Sequence, residues 1–250
     1  NGRNGIINTS TPTIGGEGEP GSVITIYNNG VPVGTATAGS DGKWSYTFNP
    51  SLNDGEYAIY TTATDKAGNT SAPSETFGIT VDTQQPAAPS APQLDNENNN
   101  GHVKTNKPTI KGNAEPGSTI TVYDNGVPVA TIVADENGKW QYTFDPELSD
   151  GQHTITTSVT DLAGNVSAAG VSYLINVDTD RPTVKIESVT STAAMPFTVR
   201  IIFSEAVSGF GISGIQAENA KLSNFTAVSA TEYTVKVSPV YDDKDVTVQV

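Results

Sequence analysis

The chain has no cysteine in 250 residues, so disulfides, thiolate metal sites and cysteine nucleophiles are all excluded. Its stability must come from packing, hydrogen bonds or hard cations. Histidine is almost as scarce, with only His102 and His153, which fall at different positions of the pattern described below. No G-x-S-x-G elbow, P-loop or H-E-x-x-H is present, and catalysis therefore has little material to work with. No run of about 18 apolar residues and no basic, apolar leader occurs, so nothing here is expected to insert into a membrane. Basic residues are also few: 13 Lys and Arg against 27 Asp and Glu give a net charge of −14. Such a surface repels phosphate backbones, which argues against nucleic-acid binding and makes cations the better partners.

A sustained 3.6-residue apolar period is also lacking, so helix is expected to be nearly absent. What the chain does contain is repetition. Aligned on itself, it repeats at an offset of 96 residues: EPGSVITIYNNGVPVGT from Glu19 returns as EPGSTITVYDNGVPVAT from Glu115. The match runs on without insertion through GKWSYTF and GKWQYTF, TDKAGN and TDLAGN, and ITVDT and INVDT. A third unit follows with different wording but the same rhythm of Thr, Val, Ile and aromatic runs, as in FTVRIIFSEAV and EYTVKVSPV.

The segments between turns are short, β-branched and often alternating. In the second copy they predict strands near Ser90 to Leu94, Pro108 to Gly112, Ser118 to Tyr123, Val127 to Ala134, Trp140 to Phe144, Gln152 to Thr160 and Val171 to Val177. Seven strands in about 96 residues fit a constant-type immunoglobulin sandwich. The turn sequences agree, because DNG at Asp124, ENG at Glu136 and SDG at Ser149 supply residues tolerant of positive φ. The expected fold class is all-β: tandem immunoglobulin-like seven-stranded sandwiches in an elongated rod, with domains at 1–82, 83–178 and 179–250. In this register Asn1 corresponds to Glu97, so the first domain is expected to lack its first strand. The third is expected to lack its last, and a rod continuing in both directions is the simplest expectation.

Alternating strands place the loops after strands two, four and six at the pole where the chain arrives. Glu115 and Asp161 are thereby expected at the N-terminal pole of the second domain, where the linker carrying Asp82 joins it. The same logic brings Asp178 and Asp180 toward Glu205 at the next junction. Glu19 and Asp65 form the matching half-site of the first domain, expected to be empty or incomplete without a preceding domain. Carboxylates about 4 Å apart repel by roughly 1 kcal/mol in water and about 4 kcal/mol at a surface-like effective dielectric, so something should neutralise them. Calcium, which accepts six to eight oxygens in flexible geometry, suits loops from two domains better than magnesium. A lone Asp or Asn at such a position is more simply a turn cap; three acids at one junction point to Ca2+. Bending the junction then loses ligand bonds, and the proline-rich segment from Pro86 to Pro92 limits it further.

These residues resemble the bacterial Ig-like repeats of very large, type I-secreted adhesins and biofilm proteins, through NAEPGSTITVYDNG from Asn113, DLAGN from Asp161 and VDTQQP from Val81. IIFSEAVSGF at Ile201 and LSNFTAV at Leu222 resemble a related subtype. The resemblance covers nearly all of the first two domains. It implies a non-enzymatic, secreted stalk at the bacterial surface, serving cell adhesion, virulence or biofilm formation. Calcium is implied at junctions through Asp82, Glu115, Asp161, Asp178 and Glu205. Implied partners are the neighbouring repeats and, through a larger protein, a host surface or glycan, with the chain itself a monomer. GGEGE at Gly15 could be mistaken for a calcium β-roll repeat, but one isolated copy is too weak. The alternative function is a lectin-like domain that itself binds glycans. That reading needs a solvent-facing aromatic, whereas Trp44 and Trp140 each begin an alternating W-x-Y-x-F strand and are expected to pack inward. Asn8, Asn69, Asn165 and Asn224 head sequons that are read as chance.

Overall fold

The computed structural model describes residues 5–95, 101–188, 195–241 and 244–250. Asn1 and Glu97, which set the register of the expected missing strand, lie outside them. The chain packs as two compact units, Asn1–Thr179 and Asp180–Val250. The first of these holds both 96-residue repeats. Among the described residues no α-helix occurs, and 3-10 geometry is confined to Gly5 and Ile212–Gly214.

The first repeat comprises β1 (Ile6–Ile7), β2 (Thr13–Glu17), β3 (Val23–Asn28), β4 (Val31–Thr37), β5 (Lys43–Thr47), β6 (Gly55–Thr64) and β7 (Phe77–Val81). The second comprises β8 (Gln93–Leu94), β9 (His102–Val103), β10 (Thr109–Asn113), β11 (Thr119–Asp124), β12 (Val127–Val133), β13 (Lys139–Thr143), β14 (Gly151–Thr160) and β15 (Tyr173–Val177). In the second repeat a sheet ordered β13-β10-β8 faces one ordered β12-β11-β14-β15-β9. All seven expected strands form, and an eighth, β9, joins them. It arises because the first strand changes sheets: β8 pairs antiparallel with β10, and β9 then pairs in parallel with β15. Ser90 to Pro92 stay unpaired, since Pro89 and Pro92 have no N–H to give a ladder.

The constant-type arrangement expected from the strand count is not what forms. The fourth strand, β12, stays beside β11 rather than crossing to the first sheet. The cause is local: Asn125 (φ 49°) and Gly126 (φ 81°) make a two-residue turn with both φ values positive, which suits a hairpin. The Asn125 side-chain oxygen accepts the Thr154 N–H at 3.0 Å, tying this turn to β14. Asn29, Gly30 and Ala58 repeat the device in the first copy.

The core of the second repeat is Ile110, Ile120, Val122, Phe144, Ile155 and Ile175, all essentially fully buried, with Trp140 5% exposed. Each large aliphatic side chain withdrawn from water contributes about 1.5–3 kcal/mol. Trp140 lies flat against Gly112 across the sheet, where a Cβ would come within 2.6 Å of the indole. Trp44 sits on Gly16 in the same way, so that glycine of GGEGE is a seat for tryptophan.

The unit Asp180–Val250 comprises β16 (Val184–Ser188), β17 (Phe197–Phe203), β18 (Gln216–Glu218), β19 (Ala220–Ala227), β20 (Glu232–Pro239) and β21 (Thr247–Gln249). Its sheets are ordered β16-β17-β20-β19 and β18-β21. Here the fourth strand does cross to the first sheet, through Asn219 at φ 55°. Phe203, Phe210, Phe225 and Tyr233 stack edge and face around its core.

Candidate functional site at the first junction

Two motifs of the second repeat meet at its N-terminal pole. The first is Glu115-Pro-Gly-Ser118, with proline at the second turn position and Gly117 at φ 77° at the third, the arrangement of a type II turn. It is closed by the Ser118 N–H and hydroxyl, which donate to the Glu115 carbonyl at 3.0 and 2.6 Å. The second motif is Asp161-Leu-Ala-Gly-Asn165. Asp161 Oδ1 accepts the Gly164 and Asn165 N–H groups at 2.7 and 2.8 Å, and Oδ2 accepts the Asn165 amide at 2.9 Å. Gly164, at φ 97°, permits the bend. The two motifs are adjacent, for a Cβ on Gly117 would lie 3.4 Å from Leu162.

The linker arrives at this pole. Asn165 Nδ2 donates a further hydrogen bond, 2.8 Å, to the backbone carbonyl of Asp82. Asn165 is only 9% exposed, and Gly164 lies against Asn8 of the first repeat. One amide thus fastens the loop of one repeat to the linker that leaves the other. The linker is also gripped from behind. The Thr83 N–H and hydroxyl donate to Asp54 Oδ1 at 3.0 and 2.8 Å, and Gln84 Nε2 donates to Asp54 Oδ2 at 3.2 Å. These bonds hold the Asp54 carboxyl below its ordinary value, the Thr83 hydroxyl first and the Thr83 N–H next. Asp150 grips Thr179 in the same way at the end of the second repeat.

Of the acids singled out from sequence, Asp161 and Asp65 are loop organisers. Asp65 accepts the Asn69 amide at 2.7 Å and the Asn69 and Ala67 N–H groups at 2.8 and 2.9 Å. The Asn69 amide is the main cause holding its carboxyl below the ordinary value. Asp82 caps its own turn through the Gln84 N–H at 3.1 Å. Glu19 and Glu115 are exposed at the Pro-Gly turns. Asp178 continues the ladder through its N–H to the Val103 carbonyl at 2.9 Å, and Asp180 is exposed. Glu205 is half-buried two residues beyond β17. Among the described residues no three His, Asp or Glu side chains gather closely enough to hold a metal ion. Asp82, Glu115 and Asp161 thus flank the first junction without forming a shared ligand cluster. Asn165 was read from sequence only as the head of a chance sequon, and Asp54 and Asp150 were not singled out; their signal was their recurrence beside each linker and loop.

The family profile of the bacterial Ig-like domain matches residues 1–83 and again 89–179, and a second profile of the same description matches 178–250. The chain belongs to the bacterial Ig-like domain family. Among curated proteins, bacillopeptidase F of Bacillus subtilis is 31% identical over 179 residues, which is 71% of this Ig-like chain and 11% of that protein. The chain thus spans about a tenth of that relative. Solved structures of similar fold include a Ca2+-stabilized adhesin that helps an Antarctic bacterium bind ice, at 22% identity, 93% and 62% coverage and a TM-score of 0.38. Invasin, a bacterial integrin-binding protein, is similar at 16% identity, 95% and 53% coverage and a TM-score of 0.41. Fibronectin(III)-like modules of Clostridium thermocellum CbhA match at 15% identity, 66% and 85% coverage and a TM-score of 0.42. No helix among the described residues is long and apolar enough to cross a membrane.

Proposed function

We propose that this chain is a non-enzymatic spacer of a bacterial surface adhesin, in which successive Ig-like repeats are clasped end to end into a stalk. The observation that carries this reading is the hydrogen bond from Asn165 Nδ2 to the Asp82 carbonyl. It needs no ion, because both partners are positioned by their own loops. Rotating one repeat against the other breaks this bond and strips Asn165 of its burial. Linkers held at Thr83 and Thr179 by Asp54 and Asp150 support the same reading, since a stalk must transmit force through its joints.

Calcium belongs to the proposal as a second fastening. Asp161 Oδ1 already accepts two N–H groups, whereas Glu115 is exposed and Asp82 accepts the Gln84 N–H through Oδ1. Asp82, Glu115 and Asp161 would hold the ion at the first junction, Asp178, Asp180 and Glu205 at the second. Glu19 and Asp65 would contribute to the pole of the first repeat. The ion would supply charge neutralisation and oxygen ligation between loops that are otherwise joined by one amide.

Small-angle scattering of the whole chain tests both fastenings. Asn165→Ala is expected to increase flexibility and broaden the distance distribution in chelator. Calcium is expected to narrow it for the native chain but not after Asp82→Ser and Asp178→Ser. Profiles that respond to neither substitution nor calcium would refute the stalk mechanism.

A further inference from the structure

We propose that Tyr27 and Tyr60 of the first repeat form a site of oxidative cross-linking, joined ortho carbon to ortho carbon into a dityrosine that ties β3 to β6 when hydrogen peroxide and a haem peroxidase are present. The two residues stand directly opposite one another in the antiparallel ladder of β3 and β6, a placement that leaves Cβ atoms about 4.5–5.5 Å apart. Ile26 and Ile59, which precede them, are buried. Alternation therefore turns both tyrosines to the outer face of the sheet, where they are half-buried. Their rings stack with centroids 4.8 Å apart and planes 7° from parallel. That separation exceeds the contact distance of about 3.5–4.0 Å between carbons, so the rings are slid past one another and the edge of each lies over its neighbour.

The hydroxyls of Tyr46, Tyr57, Tyr142 and Tyr233 donate to backbone carbonyls, and that of Tyr123 meets the Ser158 hydroxyl at 3.3 Å. Among the described residues Tyr27 and Tyr60 make no such bond, so their side chains pivot out of the stack without losing one. The second repeat has the same place without its second ring. Shifted by 96, Tyr27 and Tyr60 become Tyr123 and Thr156, which are again directly opposite in β11 and β14. The pair therefore belongs to the first repeat and is not required by the sandwich. In the coupling each phenol loses one electron and its hydroxyl proton, giving a radical whose spin lies on the oxygen and on the ring carbons ortho and para to it. The para carbon carries Cβ, so the new bond joins ortho carbons, and each ring regains aromaticity as the hydrogen on that carbon moves to the oxygen. The balance is two tyrosines and one hydrogen peroxide to one dityrosine and two waters. Opposed placement makes the step intramolecular, which favours it over encounters between chains. With no cysteine in the chain, a disulfide cannot supply this tie.

The test treats the full chain, kept dilute, with a haem peroxidase and hydrogen peroxide, and reads dityrosine fluorescence together with peptide mapping by mass spectrometry. The native chain is expected to lose two hydrogen atoms, to gain the fluorescence, and to yield a cross-linked peptide joining the segments that hold Tyr27 and Tyr60. Tyr60→Phe and Tyr60→Thr are each expected to abolish that peptide; the first keeps the ring and the second copies the second repeat, so their agreement guards against misfolding of either. Thr156→Tyr is expected to add a second link, to Tyr123. Oxidation that leaves Tyr27 and Tyr60 unlinked while the exposed Tyr241 couples one chain to another overturns the proposal. So does a cross-link at Tyr27 that survives Tyr60→Phe, or a product in which Tyr27 and Tyr60 are oxidised separately and never joined.

Discussion

Gly34 and Ala130 occupy the same place in the two repeats, yet they aim a tyrosine in different directions. A Cβ on Gly34 would lie 2.3 Å from the Tyr46 ring, and the Tyr46 hydroxyl donates to the Val33 carbonyl at 2.8 Å. With Ala130 in that place, the Tyr142 hydroxyl instead donates to the Asp145 carbonyl at 3.1 Å. Gly34→Ala is therefore expected to swing Tyr46 toward the Asn49 carbonyl without unfolding the repeat. A crystal structure of the variant checks this; an unmoved Tyr46 with displaced backbone would contradict it. Position 57 shows the same economy. The Tyr57 hydroxyl reaches the Asn53 carbonyl at 2.7 Å, and in the second repeat His153 Nε2 reaches the Ser149 carbonyl at 2.9 Å. His153 is thus accounted for by packing and hydrogen bonding within the repeat.

At the scale of elements, each linker is an extension of the last strand held by the hairpin loop below it. The Asp54 carboxyl, held below its usual value near 3.8 chiefly by the Thr83 hydroxyl, favours the folded linker only while it is ionised. A depressed folded pKa contributes stability that is present above the unfolded value and lost as pH falls through the folded one. The Thr83 anchor is therefore expected to persist at neutral pH and release below about pH 4. Carbon-detected NMR titration of Asp54 should give a midpoint under the ordinary aspartate value, raised toward it by Thr83→Ala, which removes the hydroxyl but keeps the N–H. An ordinary midpoint in the native chain would count against the anchor.

Strands and turns were largely legible in the sequence because alternation and N-G turns act locally. The sheet-switching β9 was not, since two residues carry no periodicity, and neither was the side chosen by the fourth strand. The acids were legible as a cluster by topology. Their partners were not, because D-x-A-G-N reads equally well as a metal loop or as an aspartate capping its own backbone. In the structure Asp161 accepts the N–H groups of Gly164 and Asn165 within its own loop.

For the whole molecule, the central claim concerns joints rather than clefts. The chain carries a net charge of −14, which disfavours anionic partners. In the proposed stalk the first joint is fastened by a neutral amide-to-carbonyl bond, which salt and chelators leave intact, whereas a calcium fastening would be removed by chelation. The absence of native cysteine allows single cysteines to be placed at exposed Thr35 and Thr131 and spin-labelled without interference. Pulsed dipolar spectroscopy between those labels, in chelator, measures the first joint directly. A single narrow distance distribution that broadens on Asn165→Ala is the predicted result. A distribution already broad in the native chain, or one equally narrow after the substitution, would contradict it.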